Sequence, residues 1–363
     1  MFTKKHFINT FSVLFLLIVN IIFLFEYSSS KSHILSTYLW LYIPLFFVII
    51  WFTDKILKPA RIIVRKNFIL LFLLVILLLV AFEFLLNMNK GNAYFASSAW
   101  LTSIAGGTFP YTKTYSFNLP FLYYLEAPFY LLGNVGLFGF FGLALFLYLV
   151  MLFSYTKKEI VTKVVVLLIL PAFYFELLSG GNTFTNAVLV IAVIFLMNKF
   201  IDEDKINIKF LFLSIVFGVL LCTHLLILIP FSLSLIFFFR YNLKNLFLFF
   251  LIALFTCIAL LIPFIRWNHS GFIAYGLFTN SFANLPVWIY ILLFIAVVYT
   301  GWMISDLQEL LFSTGMILFF ISLIEFLGNT DYSNELILSI PFLILSIKEY
   351  EVDKFLGKKI PIK

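Results

Sequence analysis

A handful of ionisable side chains interrupt an otherwise apolar chain. Glu83, Glu126, Glu176, His224, Arg266, His269, Glu325, Asp331 and Glu335 fall near one set of ends of its apolar runs. A charge at membrane depth costs roughly 2.5–3.5 kcal/mol on insertion scales, so groups that persist there are candidate sites. A carboxylate in such a place suits a general base acting on a hydroxyl, provided its pKa fits the task. His224 and Arg266 supply donors that grip a phosphate through charge-assisted hydrogen bonds. Plainer readings stand beside these. Glu83 and Glu126 pair with a neighbouring cation or cap a helix, His224 is a turn histidine near the headgroups, and Glu325, Asp331 and Glu335 are simply solvated.

Other chemistry has no support. The sequence holds no G-x-G-x-x-G, P-loop, H-E-x-x-H or G-x-S-x-G. Its 2 cysteines, Cys222 and Cys257, lie in apolar runs without metal-ligand spacing and are expected as small buried hydrophobes. Asp202-Glu203-Asp204 reads as a solvated loop. No cofactor is expected and no metal-ligating residues stand out; a metal requirement stays open.

The elements that position these residues are membrane spans. The chain is 63% hydrophobic and 11% charged, against roughly 25% charged in a soluble domain. Its mean hydropathy is +1.11. The apolar runs are continuous rather than alternating, which excludes a β-barrel and predicts an all-α polytopic bundle of about 12 spans. The expected spans are Phe7–Phe25, Thr37–Phe52, Phe68–Leu86, Val135–Tyr155, Ile160–Leu178, Phe184–Phe200, Ile208–Thr223, Leu225–Phe239, Leu246–Ile265, Leu285–Met303, Leu307–Leu327 and Leu336–Ile347. The first is too long for a signal-peptide core and is expected to be retained. With both termini cytoplasmic, only Lys31, Lys90, Lys113 and Arg266 of the 24 basic residues fall outside, as the positive-inside rule asks. The net charge of +7 thus follows topology and does not argue for nucleic acid.

The whole chain, 1–363, is expected to form one integral membrane domain. Two spans and a basic loop make up 1–67, a core 68–240, further spans 241–347 and a basic tail 348–363. The core carries a long outer loop, 87–134, rich in Asn, Thr, Ser, Gly and Pro. Long loops that are not linkers are usually functional. Its segment Leu119–Leu132 is short for a span and carries Pro120, Glu126 and Pro128, so it is expected to be re-entrant or interfacial. Full spanning there would invert every later loop and collapse the charge bias. Gly133, Gly136, Gly139 and Gly142 form a small-residue strip suited to close helix packing. No internal repeat is visible, which weakens a duplicated-half transporter.

The outer loop resembles that of the GT-C class of polytopic glycosyltransferases that use polyprenyl-phosphate sugars. Asn92-Ala93-Tyr94-Phe95 stands where such a loop opens, Trp100–Ala105 where a short helix follows, and Gly106–Tyr111 at the Gly-x-x-Pro-Tyr element. Asn118-Leu119-Pro120 and Ala127-Pro128 resemble the Pro-containing re-entry. Ser179–Thr183 resembles an outer Gly-Gln-x-Asn turn, and Thr223-His224 with Pro230 and Arg240 a Lys-x-x-Pro stretch. The resemblance covers roughly 68–239. It implies transfer from a lipid-linked donor to a glycan, lipid or protein acceptor at the outer face of a cell membrane, by inference the bacterial cytoplasmic membrane. Glu83 or Glu126 would be base, His224 and Arg266 would grip phosphate, and Tyr94, Tyr111, Asn118 and Asn182 would line the substrate site. The chain departs from the pattern at two positions: Asn92 stands where the class carries its catalytic Asp, and His224 where a Lys is usual. An amide is no base, so either the role has moved to Glu83 or Glu126, or catalysis is lost. The alternatives are therefore a non-catalytic relative that binds lipid-linked glycans, and a polysaccharide polymerase or transporter.

Overall fold

The computed structural model describes residues 4–31, 41–51, 69, 72–73, 76–77, 80, 90–111, 118–201, 206–277, 286–328 and 335–348. Among the described residues the chain is helical, with no β-strand. In order the helices are α1 (Lys4–Lys31), α2 (Leu41–Trp51), α3 (Asn92–Ala105), α4 (Pro120–Leu131), α5 (Leu137–Phe153), α6 (Lys157–Leu168), α7 (Pro171–Ser179), α8 (Thr183–Phe200), α9 (Ile208–Leu221), α10 (Leu228–Phe239), α11 (Leu243–Trp267), α12 (Val287–Met303), α13 (Leu307–Gly328) and α14 (Ser339–Ser346).

The protein is an α-helical membrane protein. Among the described residues 4 helices are long and apolar enough to cross a bilayer: Phe7–Phe25, Thr183–Phe200, Leu243–Trp267 and Leu307–Leu327. The pair α6–α7 makes a fifth if its bend of 67° is taken within one span. The sequence places a single span at Ile160–Leu178, and the structure divides it. Pro171 opens α7 and has no N–H to continue the ladder. The next amide, Ala172 N, donates to Asn20 Oδ1 of α1 at 3.1 Å, so the bend is paid with a bond from another helix.

Several further helices are apolar but short. Helix α9 has 14 residues, about 21 Å, against a hydrocarbon core of about 30 Å. Its C-terminal carbonyls, orphans in any helix, are met by α4: Thr223 O accepts from Leu119 N at 3.1 Å and Cys222 O from Phe121 N at 3.0 Å. Helices α3 and α4 thus make a second layer over this end of the bundle, with their own aromatic core around Trp100, Tyr111, Tyr123, Phe264 and Phe272.

The main core runs through the remaining helices. Helix α5 packs on α8 so closely that a Cβ at Gly142 would collide with Thr185. Helix α14 is the most enclosed, with all 8 of its residues buried. Ser346 Oγ meets Ser12 Oγ of α1 at 2.8 Å, and Gln308 Nε2 donates to Ser346 O at 2.7 Å. At the periphery, α12 exposes Trp288 near one end and Tyr299 and Trp302 near the other, the placement of interfacial aromatic residues.

Candidate functional site

The site is built where α3, α4 and the turn from α7 into α8 converge. Helix α3 starts at Asn92, eight residues earlier than the expected short helix at Trp100–Ala105. Its start is fixed by Gly91 N, which donates to Ser179 O at 2.9 Å. Ala96, Ser97, Trp100 and Leu101 form its buried face. On α4 the buried face is Pro120, Leu122, Tyr123 and Glu126. Trp100 stacks on Tyr123 with ring centroids 4.8 Å apart. Ser97 lies three residues before Trp100 and Glu126 three after Tyr123, so each shares a helix face with its ring. Through this stack two helical turns bring a serine and a carboxylate together.

The third partner comes from Ser179-Gly180-Gly181-Asn182. Gly180 ends α7 in the left-handed region at φ 74°, where glycine carries no Cβ penalty. A Cβ at Gly181 would collide with the Glu176 carboxylate. That carboxylate accepts from Thr183 N at 2.6 Å and Phe184 N at 3.3 Å. Glu176 therefore caps the first turn of α8 and satisfies its orphan donors. Asn182 is left facing the other way. Its Nδ2 donates to Glu126 Oε1 at 2.7 Å and lies 3.5 Å from Ser97 Oγ.

Glu126 is 1% exposed. Its Oε2 makes no hydrogen bond of good geometry, with Ser97 beside the carboxyl. Helix α4 has 12 residues, about 18 Å, too short to span. Burial pushes the Glu126 carboxyl up to about 7, more than the neighbouring Ser97 and Asn182 pull it down. No cation compensates it among the described residues.

His224 sits in the turn between α9 and α10. Its Nδ1 accepts from Leu226 N at 3.2 Å, which in the neutral ring leaves the proton on Nε2. Burial lowers its pKa to about 4, so at neutral pH it offers a neutral donor, not the cation expected from sequence. Beside it, Thr223 Oγ1 donates to Asn186 Oδ1 at 2.9 Å. Asn182 and Asn186 are one helical turn apart, so the start of α8 holds Glu126 with one amide and the His224 turn with the other.

The remaining expected residues spread around this centre. Tyr111 is buried and donates from its hydroxyl to Asn118 O at 3.4 Å, while Asn118 N donates to Tyr123 Oη at 3.3 Å. Tyr94 packs on Gly180, with Lys90 Nζ 5.3 Å from its ring centroid. Asn92 is exposed at the first position of α3 and does not join the Ser97–Glu126–Asn182 cluster. Arg266 is exposed on the last turn of α11, two residues beyond Phe264, whose ring lies 5.8 Å from Trp100. No hydrogen bond or ion pair joins Arg266 to His224 among the described residues. Glu83 lies outside the described residues. Ser97 and Asn186 were not singled out by sequence, and Thr223 only as part of the Thr223-His224 stretch. The Asn182-x-x-x-Asn186 spacing was the one available signal.

The chain matches no known family profile, no curated protein and no solved structure.

Proposed function

We propose that the protein is a glycosyltransferase of GT-C type. It moves a sugar from a polyprenyl-phosphate donor to a glycan, lipid or protein acceptor at the outer face of a cell membrane, with about 12 spans and cytoplasmic termini. The observation that carries this reading is Glu126, a buried carboxylate held by Asn182 beside Ser97 with no cation against it. An apparent pKa near the working pH suits a general base. In the reaction the acceptor oxygen bonds to the sugar C1, the bond from C1 to the phosphate oxygen breaks, and the acceptor proton passes to Glu126. His224 Nε2–H and the Arg266 guanidinium are the donors for the departing polyprenyl phosphate. Tyr94, Tyr111 and Asn118 shape the aromatic wall beside them.

The test is transfer of labelled sugar from a panel of polyprenyl-phosphate sugars, with purified protein in lipid vesicles and a mixed glycan extract as acceptor. Transfer by the wild type that disappears in Glu126→Gln supports the reading. Full transfer in that variant sinks Glu126 as base, and Glu83→Gln then becomes the decisive variant.

A second reading is favoured by Asn92, an amide standing exposed at the start of α3, and by the 1% exposure of Glu126. Under it the protein binds a lipid-linked glycan without turnover. Saturable polyprenyl-phosphate binding weakened by His224→Ala, with no transfer from any donor, would select it.

A further inference from the structure

We propose that Cys222 and Cys257 are joined by a disulfide in the mature protein. They are the 2 cysteines of the whole chain, and the fold brings them together from different helices. Cys222 ends α9 and Cys257 lies in α11. Their Sγ atoms are 3.0 Å apart, and Cys222 Sγ lies 3.3 Å from Cys257 O. Helices α9 and α11 make the most extensive helix pair among the described residues, so the juxtaposition rests on a packed seam and not on a loop. Sulfurs at this separation stand roughly 1 Å beyond the length of a disulfide bond. A metal site does not compete, since no group of three or more His, Cys, Asp or Glu side chains forms among the described residues.

The charge distribution puts this end of α9 on the outer side, where disulfides persist. The oxidant is a disulfide-bearing thiol oxidoreductase of that compartment, which reaches the sulfurs before the bundle closes over Cys222. One cysteine thiolate attacks its disulfide and forms a mixed disulfide. The second cysteine thiolate attacks the Cys sulfur of that bond. The Sγ–Sγ bond forms, two electrons pass to the oxidoreductase, and the two thiol protons end on its dithiol. The closed loop contains His224 and the whole of α10. Its Cys222 end also holds α4, because Cys222 O and Thr223 O accept from Phe121 N and Leu119 N. The bond therefore fixes the ledge from which Glu126 hangs. It does not depend on which reaction, if any, occurs there.

The experiment uses full-length protein in its native membranes. Free thiols are blocked with N-ethylmaleimide, the protein is denatured, and a polyethylene-glycol maleimide is added with or without prior reduction. The expected result is no gel shift without reductant, two adducts when reductant precedes the label, and an intact mass lower by two hydrogens. In Cys257→Ser, with the blocking step omitted, the remaining Cys222 takes one adduct without reductant. Two N-ethylmaleimide additions on unreduced wild type, or a dimer linked through these residues, would overturn the proposal.

Discussion

Among the carboxylates buried in the bundle, Glu159 and Glu126 lie at opposite ends and are treated in opposite ways. At the end expected inside, Glu159 Oε1 lies 2.6 Å from Lys163 Nζ, with both side chains enclosed. Lys163 also donates to Ser154 Oγ at 3.2 Å, and Glu159 Oε2 accepts from Tyr155 N at 3.2 Å. Both ions are compensated, and the group fastens the start of α6 behind its Thr156 cap. At the other end Glu126 meets neutral donors alone. Burial by itself thus says little about function. A buried carboxylate whose charge is answered is architecture, while one left unanswered is available for proton transfer.

The strongest way to break this contrast is Glu126→Gln. The amide still accepts from Asn182, so the fold should survive while transfer falls by about 10²–10⁴-fold, read in the vesicle assay. An equal loss in thermal stability would show that Glu126 is merely structural. Next comes Lys163→Met, which leaves Glu159 buried and alone. It should cost about 3–5 kcal/mol, seen as a large drop in Tm in detergent, and adding Glu159→Gln should recover most of it.

Burial raises the Glu126 pKa from 4.5 to about 7. Its stabilising contribution is whole below about pH 4.5 and is lost as pH rises through about 7, amounting to ~3 kcal/mol. Catalysis runs the other way, since the base must be ionised. Tm should therefore fall between about pH 4.5 and pH 7, while turnover rises between about pH 6 and pH 8, and Glu126→Gln should flatten the stability change. The smallest expected effect is that of Thr223→Val, which leaves Asn186 Oδ1 without its donor. About 1 kcal/mol should be lost, with a proportionate weakening of polyprenyl-phosphate binding if this turn positions His224.

Composition was enough to expect a helical membrane protein, because no soluble fold hides this much apolar surface. Glu126 and Asn182 also stood out in sequence, one as a charge in an apolar segment, the other in a Gly-rich turn. Their pairing did not, since a contact between residues 56 apart leaves no mark in local sequence. Ser97 and Asn186 escaped notice because neutral polar side chains carry no signal until their partners are known. The break in Ile160–Leu178 had a local mark in Pro171, but its support, Asn20, lies 152 residues away. The early start of α3 was hidden by loop-like composition around Gly91-Asn92. Cys222 and Cys257 looked like inert packing, as spacing along a chain does not reveal which helices become neighbours.

The enclosure of α14 has a consequence for biogenesis. Helix α1 leaves the ribosome well before α14, and Ser12 finds Ser346 334 residues later. At about 5–20 residues per second that interval is on the order of tens of seconds. Throughout it the polar groups of α1 must be sheltered by the insertion machinery or by provisional neighbours. Closure of the bundle is therefore a late event, and a truncation that removes α14 should leave an assembly intermediate that membrane quality control recognises by its open seam.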